Sequence, residues 1–111
     1  MFQVFSTQRF EKELKKILRK YPGFAEDIDK LSVLLSESPE QGSYLGAGLY
    51  KVRVLISGKS SGKSYGARVI NAVISLKKKV YLLSVYDKSE KKDLSPSEIK
   101  ELVKLVKSLK E

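Results

Sequence analysis

The sequence contains neither cysteine nor histidine. Without cysteine there can be no disulfide and no thiolate metal site, and a structural zinc site loses its usual ligands altogether. The lack of cysteine suits a reducing, cytoplasmic setting. Histidine is the side chain most often used for general acid–base catalysis, so any proton transfer here falls to other groups. Long apolar runs are missing too: none approaches the roughly 18 residues of a membrane span. The opening Met1–Arg9 lacks the basic start and apolar core of a signal peptide. Neither a membrane nor a cofactor is expected as a partner.

Acidic residues are scarce in one region only. The chain has 22 Lys and Arg against 13 Asp and Glu, a net charge of +9. From Lys51 to Lys92, eleven basic residues face only Asp87 and Glu90. That surplus equals the whole net charge, so the remainder is balanced. Charge kept for solubility would be spread out; charge gathered in one segment implies a polyanionic partner. With 111 residues, a single domain over 1–111 is expected, burying about two thirds of its extended surface.

Apolar periodicity organises the chain as α+β. Phe10, Leu14, Ile17, Leu18 and Tyr21 form one stripe of a helix over 8–20, with Lys12, Lys15, Lys16, Arg19 and Lys20 on the other side. Those five lysines and arginines read either as a solvated face or as a second phosphate-contacting surface. After the Tyr21-Pro22-Gly23 break, Phe24, Ile28, Leu31, Leu34 and Leu35 set a second helix, ended near Ser38-Pro39. Glu26, Asp27 and Asp29 make it acidic and turn it away from a nucleic acid.

Beyond Tyr44 the period shortens. Tyr50, Val52, Val54 and Ile56 alternate with Lys51, Arg53 and Leu55 as in a strand with one apolar and one partly charged face. A loop rich in Gly, Ser and Lys covers 57–67. Arg68–Leu76 and Val80–Tyr86 read as central strands joined by a Lys77-Lys78-Lys79 turn. Alternation alone does not decide which way Arg68 points. Phe2–Ser6 can add an N-terminal strand. Ser95-Pro96-Ser97-Glu98 is a capping box with proline at the first helical position, opening a helix to about Lys110 whose stripe is Ile99, Leu102, Val103, Val106 and Leu109. The expected order is (β)ααβββα: two N-terminal helices, an antiparallel sheet of three to four strands and a C-terminal helix.

Two motifs bear on chemistry. Gly58-Lys59-Ser60-Ser61-Gly62-Lys63-Ser64 is no P-loop: only three residues separate its glycines, where four are needed, and a strand follows instead of a helix. It is either an ordinary hairpin loop or a cationic one that meets phosphates through its lysines and backbone N–H groups. The second is a constellation. Lys51 and Arg53 on one strand, Lys59 and Lys63 in the loop, Arg68 on the next strand, and Tyr86 with Lys88 on the third can converge in an antiparallel meander. Such a surface suits phosphate neutralisation and base stacking on RNA. RNA carries its own nucleophile, the 2′-OH; cleavage needs a base, an acid and cations on the developing phosphorane. A lysine crowded by other cations gives up its proton more readily and can serve in acid–base roles, with Lys51 and Lys88 the candidates. Arg68 is the candidate for fixed phosphorane stabilisation. Asp87 and Glu90 show no paired arrangement for metal-dependent hydrolysis, so no metal site is expected.

These residues resemble the RelE/ParE toxin superfamily, most nearly its HigB-like branch. The resemblance rests on Gly48-Leu49-Tyr50-Lys51-Val52-Arg53, the Gly/Lys loop ending Gly66-Ala67-Arg68-Val69-Ile70, and Val80–Glu90. Phe10-Glu11-Lys12-Glu13-Leu14, Asp93-Leu94-Ser95 and Glu98-Ile99 extend it over most of the chain. It implies a compact RelE-like (microbial ribonuclease-like) fold and the toxin of a type II toxin–antitoxin module. The implied activity is a ribosome-dependent mRNA endonuclease that cuts without a metal. By resemblance Lys51, Arg53, Arg68 and Lys88 take catalytic positions and Lys59 and Lys63 match basic loop positions; Lys59, Lys63, Tyr86 and Lys91 are the residues expected to bind RNA. The implied partners are the ribosome, mRNA and a cognate antitoxin of helix-turn-helix type. Departures are specific: where the RelE branch has a tyrosine after the Lys88 position, this chain reads Lys91-Lys92-Asp93-Leu94. HigB-like members commonly have glycine at Tyr65 and an aromatic at Asn71. Two other functions fit the same cations: a ParE-like toxin that inhibits a topoisomerase by binding, and a non-catalytic RNA-binding domain.

Overall fold

A computed structural model describes residues 1–59 and 66–110. The elements run β1 (Gln3–Ser6), α1 (Gln8–Lys20), α2 (Phe24–Glu37), β2 (Ser43–Gly46), β3 (Leu49–Val54), β4 (Ala67–Ile74), a 3-10 turn at Ser75–Lys77, β5 (Lys79–Asp87) and α3 (Pro96–Lys110). Local chemistry explains where they begin. Thr7 caps α1: its hydroxyl accepts the Phe10 N–H at 3.2 Å and donates to the Leu82 carbonyl at 2.9 Å. The capping box of α3 closes both ways, with Ser95 Oγ accepting the Glu98 N–H at 3.2 Å and Glu98 Oε1 accepting the Ser95 N–H at 3.0 Å.

The strands form one sheet in the order β1-β5-β4-β3-β2. It is mixed and five-stranded, where three to four antiparallel strands were expected. β1 pairs parallel with β5; that partner lies some 75 residues away in the chain, so direction could not be read locally. β2 is short and leads into a turn in which Gly46, Ala47 and Gly48 all have positive φ, at 93°, 52° and 80°. The basic turn starts earlier and is one residue longer than expected: β4 stops at Ile74 and β5 begins at Lys79, Leu76 is fully exposed on the 3-10 turn, and Lys78 is left-handed at φ 53°.

Two apolar layers sandwich the sheet. Phe10 and Ile17 of α1 and Phe24, Ile28, Leu31 and Leu35 of α2 pack on one face with Val52, Ala67, Val69, Val80, Leu82 and Val85. Leu34, expected in the α2 stripe, is exposed instead. On the other face Leu102 and Val106 of α3 cover Leu49, Ile70, Ala72 and Leu83. β4 and β5 are thus buried on both sides, which accounts for their near-continuous apolar runs.

A β-bulge sets which β5 side chains face which layer. Ile70 pairs with Ser84 but Asn71 pairs with Leu82, leaving Leu83 as the extra residue. Leu82 and Val85, three apart, therefore point to the same face. Glu13 of α1 stabilises this irregularity, accepting the Ser84 hydroxyl at 2.7 Å and the Val85 N–H at 3.2 Å. Among the described residues, no helix is long and apolar enough to cross a membrane.

A basic pocket at the uncovered end of the sheet

The face covered by α3 changes character along β3 and β4. Leu49, Ile70 and Ala72 lie under the helix, while Lys51, Arg53 and Arg68, at the alternating positions beyond them, extend past its cover. Arg53 pairs with Arg68, and Arg68 with Tyr86, so one row crosses three strands. Lys88 follows β5, its N–H donating to the Gly66 carbonyl at 3.1 Å. Lys51, Arg53, Arg68 and Lys88, with Gly42 and Ser43 of the β2 side, line one cavity of about 390 Å³. All four expected catalytic residues are brought together.

Their surroundings differ. Arg68 is only 8% exposed, and its Nη1 donates to the Gly66 and Ala67 carbonyls at 3.4 and 3.3 Å. These neutral acceptors hold the guanidinium without cancelling its charge. Arg53 is exposed. Lys51 Nζ lies 3.5 Å from Asp93 Oδ1, so it is not crowded by cations alone. Gly42 sits against the Lys51 backbone: a Cβ there would fall 2.1 Å from the Lys51 carbonyl oxygen.

Of the expected RNA-binding residues that are described, Lys59, Tyr86 and Lys91, none lines this cavity. Lys59 has crossed to the α1/α2 side, where its Nζ donates to both Asp87 oxygens at 2.8 Å and sits 5.6 Å from the Tyr21 ring centroid. Burial pushes the Asp87 carboxyl up, but bonds from Lys59 and Ser89 outweigh it and hold the carboxyl below its ordinary value. Lys91 pairs with Glu98. Tyr86, expected to stack on a base, is 7% exposed, and its hydroxyl donates to Asp93 at 3.2 Å. Burial first, then the Asp93 charge, push its phenol up to about 12, so it stays a donor at neutral pH. Lys59, Lys91 and Tyr86 thus each engage a carboxylate of the protein. Lys63 lies outside the described residues, as does most of the rejected P-loop segment. The Lys77–Lys79 turn stands at the far end of β4, roughly 20 Å from Arg68 at about 3.3 Å per residue, so the basic segment splits into two separate patches. Acidic α2 lies across the sheet from the pocket, as expected.

Asp93, Gly42 and Ser43 belong to the site and were not singled out from the sequence. The one legible signal was the Gly46-Ala47-Gly48 turn between Tyr44-Leu45 and Leu49-Tyr50, which marks a hairpin.

The arrangement provides a fixed, buried guanidinium flanked by three further cations in an open cavity, suited to a phosphate whose negative charge grows during reaction. The model of a family described as the RelE toxin of the RelE/RelB toxin–antitoxin system matches residues 2–111. The structure is similar to a chain of the intact Escherichia coli RelBE toxin–antitoxin complex, at 26% identity and a TM-score of 0.57, covering 78% of this chain and 96% of that one. The isolated E. coli RelE toxin gives the same TM-score at 22% identity, over 95% of this chain and 99% of that one.

Proposed function

The chain belongs to the RelE family of toxins of toxin–antitoxin systems, and we propose that it is a single toxin domain that cuts mRNA on the ribosome, using the Lys51–Arg53–Arg68–Lys88 pocket. The convergence of these four cations in one cavity carries the proposal.

In this reading an RNA phosphate enters the cavity with its neighbouring 2′-OH in line with the scissile P–O5′ bond. The 2′-oxygen attacks phosphorus, its proton passes to a base, and the departing 5′-oxygen takes a proton from an acid. The products are a 2′,3′-cyclic phosphate and a 5′-hydroxyl. Arg68 meets the charge that builds on the non-bridging oxygens, and Arg53 adds to it. Lys51 and Lys88 carry the proton transfers. Each role is filled by a side chain of the protein, so the reaction is written without a metal. Cleavage on ribosomes places the protein in the cytoplasm.

A positive surface of this kind also needs covering when the toxin is silent. The E. coli relative is seen with its RelB antitoxin; here the partner is a cognate antitoxin, of helix-turn-helix type by the HigB-like resemblance. The test is Arg68→Ala. Removing one fixed donor to a transition-state oxyanion costs about 10²–10³ in rate, so single-turnover cleavage of ribosome-bound mRNA should fall by that factor with the circular dichroism unchanged. Undiminished cleavage refutes the assignment. A folded wild-type protein that cuts no mRNA but damages DNA on expression supports the topoisomerase-binding alternative instead.

A further inference from the structure

Asp93 stands beside the pocket, a carboxylate against one of the cations that line it, Lys51. Three donors converge on its Oδ1: the Leu94 N–H at 2.9 Å, the Tyr86 hydroxyl at 3.2 Å and Lys51 Nζ at 3.5 Å. The Leu94 N–H, joined by Lys51 and Tyr86, holds its carboxyl below the ordinary value, so it is charged at neutral pH. The segment that presents it is braced on both sides. The N–H groups of Glu90 and Lys91 donate to the Asp87 carbonyl at 3.0 Å, Lys91 pairs with Glu98, and Glu98 closes the capping box of α3.

Building on the RNA-cleaving function proposed above, we propose that Asp93 is a positioning residue that fixes the Lys51 ammonium in the pocket, itself located by the buried Tyr86 hydroxyl. Lysine is a compact charge on a flexible stem of four carbons, and Lys51 is partly exposed, so β3 alone does not fix where its ammonium lies. Tyr86 is anchored in β5, and its short, stiff hydroxyl locates one carboxylate oxygen. That oxygen then locates Lys51. The chain of contacts joins β5, the segment before α3, and β3, and it needs the charge of Asp93 at its last step only.

The geometry makes rate and affinity move in different directions. Without Asp93, Lys51 is misplaced and cleavage of bound RNA slows. Lys51 also loses its counter-charge, so RNA binding holds or tightens. Misplacing a reacting group by about an ångström costs up to roughly 10²-fold. Asp93→Ala should therefore lower the single-turnover rate at saturating ribosome-bound mRNA by about 10- to 100-fold, with KM unchanged or lower. Asp93→Asn keeps an oxygen for Leu94 and Tyr86 but loses the ion pair, and should fall between. Tyr86→Phe should lose less than Asp93→Ala, and the double variant should be no slower than Asp93→Ala alone. A wild-type rate in Asp93→Ala, or a loss confined to KM, overturns the proposal. So does a rate that rises with affinity, which would make Asp93 a shield against RNA.

A second measurement is independent of activity. The ¹³C relaxation of the Lys51 ε-methylene should report an ordered side chain in the wild type and a mobile one in Asp93→Ala. Unchanged order overturns the proposal. A wild-type protein that cuts no RNA overturns the function, and the relaxation result still decides the contact.

Discussion

Lys59 was expected to bind RNA, and its place in the structure predicts a large cost in stability instead. Its side chain is 13% exposed and that of its partner Asp87 6%. Asp87 also accepts the Ser89 N–H at 3.0 Å and hydroxyl at 2.7 Å. Lys59→Ala leaves this carboxylate buried without its counter-charge. Removing one partner of a fully buried pair costs about 3–5 kcal/mol, and Ser89 offsets part of that, so a loss of about 2–4 kcal/mol is expected. The unfolding entropy of 111 residues is roughly 0.23 kcal/mol/K, from about 2.1 cal/mol/K per residue. The melting temperature should then drop by about 9–17 °C in calorimetry. The pH dependence has a definite sign. The Asp87 carboxyl lies below its ordinary value when folded, so the pair's contribution is complete above the unfolded carboxylate range and is lost as pH falls through the folded value. The gap between wild type and Lys59→Ala should be constant from about pH 5 upward and close below about pH 4. At temperatures where the variant is folded, its RNA affinity and salt slope should match the wild type. A melting temperature within about 2 °C of wild type, or a salt slope reduced by about one charge, would refute the structural role of Lys59.

Asn71 is fully buried, and among the described residues neither its Nδ2 nor its Oδ1 has a hydrogen-bond partner. Asn71→Val, an apolar side chain only slightly larger, should stabilise the protein by about 1–2 kcal/mol, read as a rise in urea midpoint at constant m-value; a lower midpoint refutes it. Gly42 has φ 74° and no room for a Cβ beside the Lys51 carbonyl. Gly42→Ala should cost at least about 1–3 kcal/mol and should also slow cleavage by displacing the Lys51 strand; an unchanged midpoint in urea would show that the β2 side yields without strain.

Much of this fold was legible because the decisive signals are local. The stripes of α1 and α3, the Ser95 capping box and the apolar runs of β4 and β5 each state their structure within one segment. What could not be read depends on distant contacts. The parallel pairing of β1 needs β5, and the facing of Tyr86 depends on the bulge at Leu83 that Glu13 supports from another element. The four cations of the pocket were legible because alternation puts Lys51 and Arg53 on one face and an antiparallel meander brings Arg68 and Lys88 beside them. Lys59 and Lys91 look the same as those four in sequence. Only the fold shows that Asp87 and Glu98 engage them, and that Asp93, an acid in a basic stretch, belongs with Lys51.

The central claim is that the basic pocket cuts mRNA on the ribosome, and a primer-extension map of mRNA breaks tests it most directly. Purified protein should produce discrete breaks when ribosomes are present, few or none on the same RNA without them, and a pattern fainter by about 10²-fold with Arg68→Ala. Breaks of equal strength with and without ribosomes would contradict the ribosome-dependent reading. An unchanged pattern with Arg68→Ala would contradict the pocket itself.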